Sequence, residues 1–233
     1  AAMLYEAPGI WTGATASVYR DLMTGTDAAQ SITVNGPAAR GLHQYQCAVI
    51  YIPDLGAPHL LFTHAGLAIG HVGVNLGAIS AFEIGDPTAS SNGSFNAMGT
   101  LRTVLYDALN LRDGAELVKQ NMPGYPTTVV LADGRYELRS VRLRRDGMGG
   151  LEERYDLAPN VGFTGRGIIY AAVPLLENAL GMRLDEFSPG ILTIDNLRNI
   201  AAEPPFAEAG NNLLNLVIDG EAMKIWLSTA NDI

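Results

Sequence analysis

Four glycines interrupt an apolar stretch at residues 59–83, and this pattern constrains the fold more than any other feature of the chain. The segment reads HLLFTHAGLAIGHVGVNLGAISAFE, with short apolar runs separated at Gly66, Gly70, Gly73 and Gly77. Short apolar runs bounded by glycine are typical of buried strands joined by tight turns or lying close to neighbouring backbone. A sheet with one solvated face would alternate apolar and polar residues more strictly. The segment therefore predicts a sheet that is covered on both faces.

The composition indicates a folded chain with an acidic surface. Of the 233 residues, 48% are hydrophobic and 17% are charged, so there is enough apolar material for a core. We expect a single domain over residues 1–233. The net charge of −9 argues against nucleic acid and anionic membranes as partners, because both require a basic surface. No apolar run is long enough to span a bilayer.

Cys47 is the only cysteine, which excludes an intrachain disulfide and a multi-cysteine metal site. It lies in an apolar strand pattern, so we interpret it as a buried structural residue. His64 and His71 do not match a standard zinc spacing, and no cofactor is predicted. The single cysteine and the lack of a secretion-signal pattern at the first residues favour a cytoplasmic location. A homo-oligomeric state is left open.

The chain alternates between groups of predicted strands and groups of predicted helices. Strands are predicted at 45–52, 60–63, 67–69 and 78–83, with hairpins around Asp133-Gly134 and Asp219-Gly220. Four helices are predicted: one capped by Thr100 and running to Leu109, a short one capped by Asp113, and two more at 168–180 and 195–202. Segregated groups of this kind favour an α+β fold, and we expect a four-layer αββα sandwich with two stacked sheets between helical layers.

Residues 144–167 are charged and rich in glycine, so they predict a loop. A basic cluster precedes and enters this segment, formed by Arg139, Arg142, Arg144 and Arg145. We interpret this cluster as a solvated strand face, since the whole chain is acidic.

Four segments in order resemble the acyl-coenzyme A:6-aminopenicillanic acid acyltransferase family, the C45-type group of N-terminal nucleophile hydrolases. They are LLFTHAGLAIGHVGVNLGAI (60–79), TLRTVLYDALNLRDGAELVKQ (100–120), TTVVLADGRYELRSVRL (127–143) and LNLVIDGEAMKIWLSTAN (214–231). The resemblance implies the αββα fold and chemistry on a small acyl amide or acyl donor. In that family a cut after glycine exposes an N-terminal cysteine, whose thiolate attacks the acyl carbonyl while its own α-amine serves as base.

The resemblance places the nucleophile at Ala14, within Thr12-Gly13-Ala14-Thr15, where the family carries cysteine. Thr15 follows that position, and Asn35 keeps the asparagine of a downstream family motif that here lacks its carboxylate. Asn75 matches the family's Gly-x-Asn strand, and Arg166 matches an arginine that supports the nucleophile. These five residues are the candidate catalytic set.

Alanine cannot act as a nucleophile, so the chain as written should not transfer an acyl group by the family mechanism. Three explanations remain open. Ala14 is an engineered replacement of cysteine, or the chain is a natural homologue that has lost catalysis, or the N-terminal match is misplaced and another residue serves. The function is therefore either amide hydrolysis or acyl transfer of the N-terminal nucleophile type, or ligand binding or a structural role in an inactive homologue.

Overall fold

The computed structural model describes the chain in segments, and the account below concerns these alone. They are residues 15–19, 22–28, 46–65, 70, 72–85, 97–122, 127–134, 140–145, 148, 150–155, 168–172, 174–187, 193–203, 212–220 and 222–229. Two antiparallel sheets and four helices are present in this described part.

The larger sheet is a seven-stranded meander in which each strand pairs with its neighbours in sequence order. Its strands are β3 (Gln46–Tyr51), β4 (His59–His64), β5 (Val72–Asn75), β6 (Ile79–Gly85), β7 (Thr127–Asp133), β8 (Ser140–Arg145) and β9 (Leu151–Tyr155). The predicted strands at 45–52, 60–63 and 78–83 are thus confirmed, as is the pairing of β7 with β8 on either side of Asp133-Gly134, whereas 67–69 lies outside the described residues. Gly73 explains part of the glycine pattern, because a Cβ there would lie 2.5 Å from the carbonyl oxygen of Leu60 on β4.

The smaller sheet has five antiparallel strands in the order β10-β1-β2-β11-β12. They are β1 (Thr15–Tyr19), β2 (Leu22–Ala28), β10 (Ile168–Ala172), β11 (Asn212–Asp219) and β12 (Lys224–Thr229). The closing hairpin predicted around Asp219-Gly220 is confirmed as β11 and β12.

Each sheet is covered by one pair of helices, and strand alternation sends successive residues to different layers. Helices α1 (Ala97–Asp107) and α2 (Leu111–Asn121) pack on Ile79 and Ala81 of β6, while Phe82 and Ile84 face the smaller sheet. Helices α3 (Pro174–Asp185) and α4 (Ile194–Ala202) pack on Val217 of β11, whose neighbours Leu216 and Ile218 face the larger sheet. The predicted four-layer αββα sandwich is therefore confirmed.

Two element predictions were wrong. The apolar run at 168–180 is not one helix, because Ile168–Ala172 forms β10 and α3 starts at Pro174. Proline suits the first helical turn, where its missing N–H has no partner to lose. The charged segment 144–167 is not all loop, since β8 continues to Arg145 and Leu151–Tyr155 forms β9. The charges of β9 belong to an edge strand, so they do not interrupt its pairing.

The predicted caps of α1 and α2 were also wrong. Thr100 lies inside α1, where its hydroxyl donates to the carbonyl of Asn121 at 2.8 Å. The N-cap of α2 is Asn110, whose side chain accepts from the backbone N–H of Asp113 at 3.0 Å. Leu109, expected on the apolar face of the first helix, is exposed in the loop between the helices.

Candidate active site

The start of β1 lies at a definite end of the sandwich. Gly220, in the turn after β11, packs against Ala78 and Gly134, because a Cβ built there would lie 3.2 Å from the carbonyl oxygen of Ala78. That turn therefore lies where β6 begins and β7 ends. Thr15 lies at the opposite end, since it pairs with Thr26 of β2, and Thr26 in turn pairs near the start of β11. We call this opposite end, where β6 ends and β7 begins, the β1 end.

Strand β1 is an interior strand of the smaller sheet, between β10 and β2. Thr15 is in register with Ala172 of β10 on one side and Thr26 of β2 on the other. Strand β1 also lies against β6 and β7 of the larger sheet. Ala14 is the residue immediately before Thr15 in sequence. Ala14, Asn35 and Arg166 themselves lie outside the described residues, so the structure places Thr15 and Asn75 of the candidate set.

At the β1 end, the inner face of the larger sheet carries apolar side chains on β6 and arginines on β8. Phe82 and Ile84 of β6 are buried there, in register with Val130 and Thr128 of β7. Thr128 is the single hydroxyl among these four side chains.

Asn75 is used by the fold. It is fully buried, and its side-chain amide donates to the carbonyls of Leu105 and Ala108 at 3.2 and 2.9 Å. Its Oδ1 accepts from the backbone N–H of Ile79 at 3.0 Å. The side chain thereby satisfies carbonyls at the end of α1, which a helix terminus leaves unpaired, and closes the turn between β5 and β6.

Asn75 and Thr15 are not brought together. Asn75 ends β5, which places it at the end of the sandwich away from the start of β1. Its hydrogen bonds also point to the helical layer, whereas Val74 beside it faces the smaller sheet. We therefore assign Asn75 to the fold rather than to a reaction at position 14.

Arg142 corrects the interpretation of the basic cluster as a solvated face. This β8 residue has a side chain that is 1% exposed, and it donates to Glu152 on β9 at 2.8 Å. It also donates to the backbone carbonyl of Tyr170 at 3.0 Å and to Glu177 on α3 at 3.2 Å. Arg144 reaches the same Glu177 at 2.9 Å. Two arginines and two glutamates thus form a charge-balanced network, which is how buried charges are accommodated.

The network joins the two sheets beside β1. Tyr170 is in register with Ser17, two residues along β1 from Thr15. Because Arg142 bonds to the main chain of Tyr170, it fixes β10 to the larger sheet, and β1 is the next strand. The sequence carries a signal for this, since Arg142 lies between Val141 and Leu143, which are buried against the helices. Strict alternation in a buried strand turns the intervening residue to the inner face.

The environment of Tyr170 also changes its ionisation. Burial raises the pKa of the Tyr170 hydroxyl above its usual 10.0, and the charge of Glu177 adds to this, while Arg142 acts in the opposite direction. A hydroxyl that is harder to ionise remains neutral in the folded protein at physiological pH. The hydroxyl packs on α3, because a Cβ at Gly181 would lie 2.5 Å from it.

Cys47 and Glu83 are poor candidates for a replacement nucleophile or acid. Cys47 is half-buried on β3 and in register with Thr63, and this register places it on the side of the sheet that faces the helices. Strands β4 and β5 separate it from β6. Glu83 is buried and accepts from the hydroxyl of Thr127 at 3.3 Å, also on the helical side. Neither side chain faces the space between the sheets.

Within the described residues no group of three histidine, cysteine, aspartate or glutamate side chains is arranged to hold a metal ion. None of the helices in the same segments has the length and apolar character needed to cross a membrane.

Comparison with known proteins gives a fold. No protein-family model matches the chain, and no curated protein sequence matches it. Among solved structures, the Caenorhabditis elegans N-acylethanolamine-hydrolyzing acid amidase ortholog superposes with a TM-score of 0.65 at 10% identity, covering 92% of this chain and 99% of that one. A cysteine-to-alanine mutant of conjugated bile acid hydrolase from Clostridium perfringens gives a TM-score of 0.52 at 10% identity, covering 94% and 89%.

Both proteins have the N-terminal nucleophile hydrolase fold, and the present chain shares it. At 10% identity the likeness concerns the arrangement of sheets and helices alone.

Proposed function

We propose that this chain is an amide hydrolase or acyltransferase of the N-terminal nucleophile type, of the C45-like group, with Ala14 at the nucleophile position. The observation that carries the proposal is the position of residue 14, immediately before an interior strand that lies against β6 and β7. The resemblance to the C45-type family implies a small acyl amide or acyl donor as the ligand. The names of the two structural neighbours describe hydrolases of N-acylethanolamines and of conjugated bile acids.

The chemistry follows from the resemblance once a thiol stands at position 14. Cleavage after Gly13 would free the α-amine of residue 14, which takes the thiol proton as the thiolate attacks the acyl carbonyl. The tetrahedral oxyanion needs donors, which the resemblance assigns to backbone N–H groups and asparagine side chains, with Asn35 as the candidate. The leaving amine receives the proton, an acyl thioester remains, and water or another amine then takes the acyl group. Arg166 would support the nucleophile.

Restoring the thiol tests the proposal. We expect Ala14→Cys to release amine from at least one member of a panel of N-acyl amides of increasing acyl length, and the parent protein to release none. Ala14→Ser is the matched control, because it adds a hydroxyl without the acidity of a thiol. Turnover absent from Ala14→Cys, together with no acyl adduct in its mass spectrum, would contradict the proposal.

A second candidate is a non-catalytic ligand-binding or structural protein that keeps the fold. It is favoured by the absence of a nucleophile at Ala14 and of the family carboxylate after Asn35. The conjugated bile acid hydrolase among the structural neighbours shares the fold with one of its cysteines replaced by alanine. Thermal shift and native mass spectrometry of the parent protein with the same N-acyl amides would detect binding. Hydrolysis of any of them by the parent protein would exclude this candidate.

A further inference from the structure

The two edges of the larger sheet have opposite character. Edge strand β9 carries Glu152, Glu153 and Arg154 in five residues, and charges of this kind discourage pairing with another strand. Edge strand β3, with the sequence QCAVIY, has no charged residue and no proline. Among the described strands β3 pairs only with β4, so its other edge presents backbone N–H and C=O groups.

Strand β3 also extends beyond the smaller sheet. The smaller sheet reaches from β10, which lies against β7 and β8, to β12, where Ile225 packs on the core that contains Phe62 of β4. Among the described residues, the five strands of the smaller sheet therefore do not extend over the whole seven-stranded sheet, and β3 lies beyond them.

The uncovered part of β3 is apolar. Ala48 and Ile50 are in register with Phe62 and Leu60, so they lie on the inner face of the sheet. Ala48 is exposed, and Ile50 and Ile52 are 71% and 80% exposed. An apolar strip beside an open strand edge is unusual on a free surface and is typical of a contact site.

We propose that β3 pairs with β3 of a second copy of this chain, in antiparallel orientation about a two-fold axis, and joins the two larger sheets into one. The occupant is a second copy because the strip is complementary to itself. Opposite residues in an antiparallel pair share a face, so Ala48 of one copy can stand opposite Ile50 of the other, with Val49 on the axis. Such an isologous contact closes at two chains.

Charge determines which contact two copies can make at the lowest cost, and it does not itself drive association. The chain carries a net charge of −9, so two copies repel each other over most of their surface. Electrostatic repulsion between two copies is weakest at the β3 edge, because β3 carries no charged residue. A contact between β3 of one copy and β9 of the other would instead place the charged side chains of β9 beside the apolar strip. A single strand pair buries little area, so we expect a reversible dimer whose population rises with protein concentration.

Sedimentation equilibrium over a range of protein concentrations tests the proposal with the parent protein and two variants. We expect the parent protein to dimerise, and Ile50→Lys to weaken the dimer at least about tenfold, about 1.4 kcal/mol, because two lysine charges then lie near the axis. Met182→Lys is the matched control, since Met182 is 72% exposed on α3 and should leave the dimer unchanged. Far-ultraviolet circular dichroism verifies that each variant is folded.

A crosslink tests the register. In a Cys47→Ser background, Val49→Cys places one thiol per chain at the axis, and mild oxidation should give a disulfide-linked dimer. A protein that remains monomeric at every concentration, a dimer that Ile50→Lys does not weaken, or folded Val49→Cys protein that fails to crosslink would each overturn the proposal. The result does not depend on Ala14 or on any catalytic activity.

Discussion

The assignment of Asn75 to the fold leads to a quantitative prediction for Asn75→Asp. The substitution keeps the size of the side chain and the acceptor for the N–H of Ile79, but it replaces the donor that serves the carbonyls of Leu105 and Ala108. An ionised carboxylate would then face two carbonyl oxygens in a site that is fully buried. Each unpaired buried polar group costs about 1–3 kcal/mol.

With two carbonyls left without a donor and a buried charge added, we expect Asn75→Asp to lower the free energy of unfolding by about 3–5 kcal/mol at pH 7. The loss should shrink as the pH falls and the introduced carboxyl becomes protonated, since a protonated carboxyl can donate one hydrogen bond. Asn75→Ala should cost a similar amount at every pH, because it leaves all three partners unpaired.

Urea unfolding followed by circular dichroism between pH 4 and pH 8 measures both effects. Asn110→Ala, which removes the exposed N-cap of α2, is the control and should cost about 1 kcal/mol. An Asn75→Asp protein as stable as the parent at pH 7 would refute the structural assignment and return Asn75 to the catalytic candidates.

Three further predictions concern other parts of the sandwich. Gly73→Ala should destabilise the protein by about 3 kcal/mol, because its Cβ would lie 2.4 Å from the Leu105 side chain and 2.5 Å from a backbone oxygen. Gly114→Ala, whose Cβ would have its nearest neighbour at 3.1 Å, should have a free energy of unfolding within about 1 kcal/mol of the parent; urea unfolding measures both. Arg142→Met should lower the free energy of unfolding by about 3 kcal/mol, because Arg142 is buried. Arg144 is 30% exposed, so Arg144→Met should lower it by less than about 1 kcal/mol, and equal losses would contradict the buried network. The raised pKa of Tyr170 means that folding favours its neutral form; this contribution is complete below pH 10.0 and is lost as the pH rises above 10.0 through the higher pKa of the folded protein. Tyr170→Phe should therefore flatten the loss of thermal stability between pH 9 and pH 11, and an unchanged pH profile would contradict the assignment.

Much of the fold could be predicted from local signals that depend on few residues. Strands β7 and β11 end at the aspartates of Asp133-Gly134 and Asp219-Gly220, so both pairs mark the end of a strand. The first connection is longer than a two-residue turn, because Ala132 pairs with Ser140. The apolar run at 168–180 was misread, because apolar residues in a continuous run show no period, and only Pro174 marks the start of the helix. Strand β2 was not predicted, since Leu22–Ala28 contains threonines, a glycine and an aspartate and lacks an apolar pattern.

The site was harder to predict because sequence spacing does not tell which face or which end of a sheet a residue occupies. The Gly-x-Asn pattern identifies Asn75 but does not indicate that its side chain points to the helical layer. That orientation depends on the end of α1, whose carbonyls accept from the Asn75 amide. The alternation of Val141, Arg142 and Leu143 places Arg142 on the opposite face of β8 from its two neighbours. The sequence interpretation assigns that face to solvent, whereas Arg142 is buried. The partners of Arg142 come from β9, β10 and α3, and no local pattern indicates that these elements meet.

The central claim is that residue 14, which immediately precedes β1 in sequence, is the position from which an N-terminal nucleophile acts. Intact-mass measurement of Ala14→Cys in a Cys47→Ser background, taken over time after purification, tests it most directly, because position 14 then carries the only thiol. We predict that this variant loses the segment up to Gly13 and that its new terminal cysteine reacts rapidly with an electrophilic acyl probe, while the Cys47→Ser parent remains intact and unlabelled. A variant that keeps its full mass and leaves the probe unreacted would contradict the account.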